Sequence, residues 1–195
     1  MMNDRTVILK NVRIAFPELH VATQFQGQGE FSYKASLLVD PGSENDKKIR
    51  AAINVAAKSV WKDEAAQVMG MIKGNPQKCC YYDGNLKKYD GFPGKWALSA
   101  SRRKKDGPVK IIDQLKNPLG PESGKPYGGC FVDAKVEFWA QKNKWGNGMR
   151  CTLIAVQFRA DGDAFSGTGP ADDDGMESIE GGEGLSESST ESDLM

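Results

Sequence analysis

The sequence predicts a mainly β fold with one long helix, and three observations support this. Several segments alternate apolar and polar residues with a period of two, which is typical of half-buried strands. One segment after a Pro-Gly break has apolar residues at helical spacing instead. The final stretch of the 195 residues shows neither pattern and is acidic. We therefore expect one folded domain over residues 1–160 and a disordered acidic tail over residues 161–195.

The first predicted strand covers residues 6–16, and Pro17 ends it because proline cannot donate to a ladder. The apolar side of this strand would comprise Ile8, Val12, Ile14 and Phe16. A predicted hairpin follows, with arms at residues 21–25 and 31–39 around a loop whose glycines tolerate positive φ. In its second arm Lys34 is out of phase with the apolar residues and should face outward.

The single long helix should begin after Asp40-Pro41-Gly42. Ser43 is the predicted N-cap, and the acidic residues Glu44 and Asp46 in the first turn suit the positive end of the helix dipole. The predicted apolar face consists of Ile49, Ile53, Ala56 and Val60. We expect the helix to run to about residue 71, before Gly74, Asn75 and Pro76.

Beyond the helix, residues 73–129 are less regular and form a predicted insertion with short strand candidates at 79–82, 95–101 and 109–112. Residues 131–141 and 149–158 then alternate cleanly on either side of a Gly-rich turn and predict a closing hairpin. Three strands before the helix and two after it, with the insertion set aside, give the order of the five-stranded OB-fold barrel.

Composition argues against an enzyme. The four cysteines, at positions 79, 80, 130 and 151, fit neither a disulfide framework nor zinc-binding spacing, and we interpret them as reduced thiols. His20 is the one histidine, so the usual acid–base group is scarce. No run of 18 apolar residues and no signal peptide are visible. We therefore expect a cytoplasmic protein that has no cofactor, binds no metal and does not contact a membrane.

Charge is divided sharply along the chain, although the 26 basic and 26 acidic residues cancel overall. Residues 161–195 hold eleven acidic residues and no basic one, which leaves 26 basic against 15 acidic in the preceding 160. A body with this excess attracts polyanions and releases counterions from phosphates, so nucleic acid is the first partner to consider. Solubility alone is the alternative explanation.

The insertion combines cations with aromatic rings, as sequence-tolerant binding to single strands requires. Residues 73–116 contain eleven basic and four acidic residues, and the run 102–105 is the densest. The predicted DNA contacts are Lys34 from the hairpin arm and, from the insertion, Tyr82, Lys87, Lys88, Tyr89, Phe92, Arg102, Arg103, Lys104 and Lys105. A solvated loop is the alternative for the basic run, and Trp96 alternates in phase with Leu98 and belongs to the core.

The closing hairpin supplies the second set of predicted DNA contacts. Phe131, Lys135 and Trp139 are out of phase with its apolar residues, and Trp145 lies in a turn rich in lysine and glycine. This turn connects the last two barrel strands, one of the loops that OB domains use against oligonucleotides. The predicted contacts here are Phe131, Lys135, Trp139, Lys142, Lys144, Trp145 and Arg150.

The acidic tail suggests a role in partner binding. Its Asp172-Asp173-Asp174 triplet is not interpreted as a metal site, because catalytic metals need carboxylates fixed by a folded scaffold. Such a tail could compete with DNA for the basic body, or contact other proteins through an apolar end; a tail that serves solubility alone is equally compatible. The predicted partner-binding residues are Asp172, Asp173, Asp174, Glu187, Glu191, Asp193, Leu194 and Met195.

Four segments of the chain also resemble a known family when their order and spacing are taken together. They are NVRIAFPELH at 11–20, FSYKASLLVDP at 31–41, YGGCFVDAKVEFWAQ at 127–141 and LIAVQFRADGDAF at 153–165. They resemble a family of bacteriophage single-stranded DNA-binding proteins with an OB-fold core, similar in plan to the phage T7 single-stranded DNA-binding protein with its acidic C-terminal tail. The resemblance covers roughly residues 5–165. The Asp193-Leu194-Met195 end departs from the aromatic residue common at the end of such tails.

This resemblance implies that the protein coats exposed single strands during replication or recombination in the cytoplasm of an infected bacterium, and contacts replication or recombination proteins through its tail. Composition and charge by themselves predict a non-catalytic single-stranded DNA-binding protein. Two alternatives remain open from the sequence: a recombination enzyme or annealing factor, and a virion or scaffold protein that uses the basic face for packing.

Overall fold

Seven strands form a single sheet in the computed structural model, which describes residues 3–165. The predicted tail from residue 166 onward, including all its proposed partner-binding residues, lies outside this range. In chain order the elements are β1 (Thr6–Phe25), β2 (Gln28–Val39), α1 (Glu44–Trp61), α2 (Ala65–Ile72), β3 (Tyr81–Asp83), β4 (Trp96–Arg103), β5 (Lys110–Ile112), β6 (Phe131–Asn143) and β7 (Gly146–Ala160).

Five of these strands close into a ring. The sheet order is β3-β4-β2-β1-β6-β7-β5, and β4 additionally pairs with β7 in parallel, with Ser101 opposite Thr152. This contact joins the two ends of the β4-β2-β1-β6-β7 series, while β3 and β5 extend the sheet beyond it. The prediction of a mainly β, OB-like fold with one long helix is therefore confirmed.

The strands that form the ring differ from those predicted. The expected first strand and first hairpin arm are one continuous strand, β1, so two strands and not three precede the helix. Pro17 does not end β1 because it lies at a register shift between Ala15 and Glu18, where no ladder bond from its nitrogen is needed. The third ring strand is β4, which lies inside the region predicted to be an insertion.

The alternation in β1 is interrupted by irregular residues. Asn11 has a φ of 55°, and the pairing with β6 shifts register between Leu9 and Val12. Because a shift of one residue turns side chains to the opposite face, Leu9 is buried and Ile8 is exposed. Phe16, with a φ of 49°, is likewise exposed. The predicted apolar side of this strand is thus right for Val12 and Ile14 and wrong for Ile8 and Phe16.

Helix α1 begins as predicted. The Ser43 side chain accepts a hydrogen bond from the Asp46 amide, so Ser43 is the N-cap. The helix packs against β6 and β1 through its buried apolar face, which includes Ile49 and Ala56. It ends earlier than expected because Lys62 adopts a φ of 50°, and a short 3-10 turn separates it from α2.

The start of the predicted tail is packed onto the folded domain. Residues 161–165 follow β7, and Phe165 is buried in a small apolar cluster on the outer side of the sheet. The Arg13 guanidinium lies 4.2 Å from the centre of the Phe165 ring, and its Nη2 donates to the Asp163 carbonyl at 2.6 Å. The described residues after β7 therefore pack onto the folded domain, because Phe165 finds an apolar site.

Candidate nucleic-acid interface

A groove of about 920 Å³ lies where β4 closes against β7. Its lining comes from residues of β1, β2, β4, β6 and β7, and from Pro76, Cys80 and Asp106 outside these strands. The outward positions of β2 and β4 in the groove are Lys34, Ser36, Ser99, Ser101 and Arg103. These positions alternate with the buried residues Ala35, Leu37 and Leu98, so the same pleat that builds the core also directs polar side chains into the groove.

Basic side chains dominate the charge of the groove. Lys34, Arg102, Arg103 and Arg150 line it, and Asp106 is the one acidic residue in its lining. An excess of positive charge in a concave surface raises the local concentration of anions. The groove therefore has the charge that a phosphate backbone requires.

Two of these arginines are held in place by neutral acceptors. Arg102 donates from Nε to the Gly107 carbonyl at 2.9 Å and from Nη2 to the Asp106 carbonyl at 2.6 Å. Arg150 donates from Nε to Gln141 Oε1 at 3.1 Å and from Nη1 to the Gln77 carbonyl at 2.8 Å. Among residues 3–165 neither guanidinium has a carboxylate within 4 Å. Their orientation is fixed while their charge stays available to a phosphate.

The other cations already have partners. Arg103 pairs with Asp106 at 2.7 Å and Lys34 pairs with Glu18 at 3.2 Å. Lys105 pairs with Glu30 at 2.7 Å, and the hydrogen bond from this lysine is the main cause of the lowered pKa of Glu30. Two of the four cations in the predicted basic run 102–105, Arg103 and Lys105, are therefore compensated by carboxylates in the folded protein. Exposed ion pairs are weak, so a phosphate can compete with these carboxylates.

Exposed aromatic rings accompany the cations. Trp139 is 40% exposed, and its Nε1 donates to Thr152 Oγ1 at 3.1 Å, which fixes the indole against β7. Phe16 also lines the groove and meets the exposed Tyr89 edge-on, with ring centres 4.9 Å apart. Exposed ring faces are what unpaired bases stack on.

Comparison with known proteins identifies the family. Residues 5–184 match the family described as Enterobacter phage Enc34, ssDNA-binding protein. The chain belongs to this family. The resemblance noted in the sequence is thereby confirmed.

Individual relatives agree with the assignment to the Enc34 family. Protein p50 of Acyrthosiphon pisum secondary endosymbiont phage 1 is 42% identical over 166 residues, which cover 84% of this chain and 88% of p50. The single-stranded DNA-binding protein from bacteriophage Enc34, solved in complex with ssDNA, has a TM-score of 0.68 at 23% identity, over 83% of this chain and 90% of that one. Bacteriophage T7 gp2.5, a single-stranded DNA-binding protein, has a TM-score of 0.54 at 14% identity, over 91% and 100%. The two structural matches show a shared fold.

Two predicted contacts of this Enc34-family protein are buried instead. Tyr82 is 4% exposed and Phe92 is 1% exposed, so neither ring face is open to a base. Both belong to the outer cluster with Ala15, Leu38, Ala97 and Phe165. Their neighbours in sequence are glycines and lysines, which suggested a solvated loop. The apolar partners come from distant segments and were invisible locally.

The remaining predicted contacts lie outside the groove lining. Phe131 is half-buried under the Arg13 guanidinium at 5.7 Å, and on β6 Lys135 lies between Asp133 and Glu137. Lys87 and Lys88 are in the loop near Tyr89. Lys142, Lys144 and Trp145 are at the β6–β7 turn. There Trp145 is 80% exposed, and the Lys144 Nζ lies 5.0 Å from the centre of its ring. The turn therefore presents an exposed aromatic ring next to a cation, outside the groove.

Sequence reasoning missed the neutral residues of the groove. The alternation in the sequence assigned Phe16 to the core, and Ser36, Ser99, Ser101, Gln141 and Thr152 have neither the charge nor the aromatic ring that indicates a DNA contact in the sequence. The outward phase of the three serines was nevertheless visible in the alternation of their strands. The part played by Gln141 and Thr152, which position Arg150 and Trp139, depends on contacts between β6 and β7.

Residues 3–165 contain no group of three His, Cys, Asp or Glu side chains arranged to hold a metal ion. The same residues include no helix that is both long and apolar enough to span a bilayer.

Proposed function

We propose that this protein binds single-stranded DNA without sequence preference and without catalysis. The observation that supports this most directly is the groove, in which Arg102 and Arg150 lack carboxylate partners among the described residues and the exposed Trp139 ring lies nearby. Cations along the path of the backbone and rings for the bases are the two requirements of sequence-tolerant binding. The complex of the Enc34 protein with ssDNA supports the same ligand for this chain.

The proposed contacts follow from exposure and charge. Tyr82 and Phe92 are omitted because they are buried, and Phe16 is added because its exposed ring lines the groove. The proposed set is Phe16, Lys34, Lys87, Lys88, Tyr89, Arg102, Arg103, Lys104, Lys105, Phe131, Lys135, Trp139, Lys142, Lys144, Trp145 and Arg150. Within it, the residues of the groove should contribute most, since their side chains converge on one surface.

The biological setting we propose is the cytoplasm of an infected bacterium, where the protein protects and organises strands exposed in phage DNA replication, recombination or repair. Membership in a phage family supports this setting. We further propose that the acidic residues beyond 165 contact replication proteins. Residues 166–195 contain nine acidic and no basic residues, a charge suited to basic partner surfaces.

A gel-shift comparison tests the proposal. The full chain would be titrated against oligothymidine, a duplex and an RNA of equal length, each at 50 mM and 200 mM salt. We expect the tightest binding to the single-stranded DNA. The affinity should fall steeply with added salt, because the release of counterions from DNA becomes less favourable. A flat response to salt, or equal binding to duplex, would contradict the proposal. Incubation with Mg²⁺ should leave the oligonucleotide intact, and cleavage would contradict the absence of catalysis.

A further inference from the structure

A second pocket lies away from the groove, between α1, α2 and β3. Its volume is about 490 Å³, and it shares no lining residue with the groove. Five large apolar or aromatic side chains contribute to its walls: Ile53, Met69, Tyr81, Leu86 and Trp96. Leu86 is 55% exposed at its edge. An apolar recess of this size, rimmed by polar residues, is typical of a binding site for apolar side chains.

The charged residues of this pocket favour an acidic ligand. The Arg50 guanidinium pairs through Nε with Asp46 at 2.9 Å, lies 4.7 Å from the centre of the Trp96 ring and keeps about half of its side chain exposed. Lys73 is exposed and has no ion pair with any residue in the described range. Asp83 is the one carboxylate in the lining, and its Oδ1 accepts a hydrogen bond from the Asn85 amide. The two cations suit carboxylates that flank an apolar anchor.

The position of β3 connects this pocket with the acidic segment of the chain. β3 is at the end of the strand order, and its side chains alternate between two faces. Tyr82 packs with Phe165, the last described residue, on one face. Tyr81 and Asp83 line the pocket on the other. The described part of the chain therefore ends beside the strand whose opposite face forms a wall of the pocket.

The segment that follows Phe165 in the sequence has the matching chemistry. Residues 166–195 contain nine acidic and no basic residues, and Leu194 and Met195 are their one adjacent pair of large apolar residues. Glu191 and Asp193 precede this pair closely. The 29 residues from 166 to 194 can span at most roughly 100 Å, ample to reach around one edge strand.

We infer that Leu194 and Met195 dock into the pocket between α1, α2 and β3 of the same chain, with Glu191 and Asp193 toward Arg50 and Lys73. Burial of the two apolar side chains supplies the attraction, and the ion pairs at the rim select an acidic segment. The docked segment would leave the DNA groove free. This inference rests on the pocket and the charge pattern, and it does not depend on DNA binding.

Paramagnetic broadening in the full chain tests it directly, without DNA. A nitroxide would be attached through Ser189→Cys. The four native cysteines are buried, and burial raises the pKa of each thiol, so the introduced cysteine reacts first. We expect the amide signals of Met69 and Leu86 to lose more intensity than those of Ser101 and Thr152 in the groove. The reverse pattern, or uniform broadening, would overturn the inference.

Matched substitutions separate docking from general attraction. Leu86→Glu should abolish the selective broadening, because it places a like charge where the apolar pair and its carboxylates bind. Leu115→Glu makes the same change at an 82% exposed site away from the pocket and should leave the broadening intact. Replacing Leu194 and Met195 by Ser should remove the effect, and Ile179→Ser should not. If Leu86→Glu and Leu115→Glu showed the same selective broadening, or if the Leu194/Met195 and Ile179 variants did, the docking of Leu194 and Met195 at this pocket would be refuted.

A mixed sample distinguishes one chain from two. Isotope-labelled protein without nitroxide would be combined with unlabelled protein that has the nitroxide. Docking within one chain predicts no selective broadening in this mixture. Broadening equal to that of the sample in which the same chain has both the isotope label and the nitroxide would overturn the assignment to the same chain. If Leu86→Glu reduces the dispersion of the amide spectrum, Lys73→Glu at an exposed position provides the same comparison.

Discussion

The Tyr81 hydroxyl donates a 2.5 Å hydrogen bond to Oδ1 of Asp46, which joins the first turn of α1 to the edge strand β3. Asp46 also accepts from the Gly42 amide at 2.9 Å and from Arg50 Nε at 2.9 Å. It is the one buried charged residue in the described part of the chain. This carboxylate therefore fixes the first turn of α1 against β3. Through Tyr81 it also fixes a wall of the second pocket.

We predict that Asp46→Asn lowers the free energy of unfolding by about 1–3 kcal/mol. The amide would lose the charge-assisted bonds and place an N–H donor near other donors. Urea unfolding followed by circular dichroism measures the change. Glu44→Gln, in the same turn but exposed, is the control and should change stability by less than about 0.5 kcal/mol. Equal losses in the two variants would contradict the role assigned to Asp46.

Asp46 should also give the stability a recognisable pH dependence. Burial raises its pKa, but the hydrogen bonds from Tyr81 and Gly42 and the charge of Arg50 outweigh burial, and the net pKa is lower than the usual 3.8. A group with a lowered folded-state pKa stabilises the protein above its unfolded-state pKa, and that contribution is lost as pH falls through the folded-state value. We predict a shallower decline of stability below about pH 4 in Asp46→Asn than in the wild type. Parallel curves would exclude Asp46 as the source.

Trp139 should contribute a base stack. Trp139→Ala is expected to weaken binding to oligothymidine by about 1–3 kcal/mol, because one exposed ring is lost from the groove. Trp139→Phe keeps a ring and should recover much of this loss. Fluorescence anisotropy with a labelled oligonucleotide measures both affinities. If the two variants bind equally weakly, the hydrogen bond to Thr152 and not stacking is the important contact.

Arg150 should neutralise one phosphate. Arg150→Gln is predicted to reduce the slope of log affinity against log salt by about 0.7, the value expected for one contact on a single strand. Arg150→Lys retains the charge and should retain most of the slope. Lys58→Gln removes an exposed cation from the far end of α1 and is the control, with an unchanged slope. A slope unchanged by Arg150→Gln would place the phosphate path elsewhere.

Phe165 should stabilise the folded domain although it lies within the predicted tail. Phe165→Ala is expected to lower the free energy of unfolding by about 3 kcal/mol, because it empties a buried site next to Leu38 and Tyr82. Asp163→Ala is the control, since Asp163 contacts Arg13 through its main-chain carbonyl. Thermal or urea unfolding measures both. Equal stability of Phe165→Ala and wild type would show that the domain ends at β7.

Gly91 provides an independent test of the same packing. A Cβ at this position would collide with the Phe165 ring, and the φ of 81° is itself unfavourable for other residues. Gly91→Ala should therefore be destabilising. The double variant Gly91→Ala/Phe165→Ala should lose less stability than the sum of the two single losses, because removing the ring relieves the collision. Strict additivity in a double-mutant cycle would argue against the contact.

The agreement between sequence and structure depends on how local each feature is. The cap at Ser43 and the alternation in β2 and β6 were predictable, because their signals lie within a few neighbouring residues. The break at Lys62 and the irregular phase of β1 were not. A positive φ at an ordinary residue is imposed by the packing around it and leaves no mark in the composition.

The sequence by itself determined that a basic β-rich body precedes an acidic segment, because charge and alternation are properties of the chain in one dimension. The tertiary structure decided which of those residues form a surface. Closure of β4 against β7 brings Ser101 and Thr152 together from distant parts of the chain, and the groove exists because of that pairing. The same long-range packing buries Tyr82 and Phe92 and exposes Phe16, since burial depends on partners that only the folded chain provides.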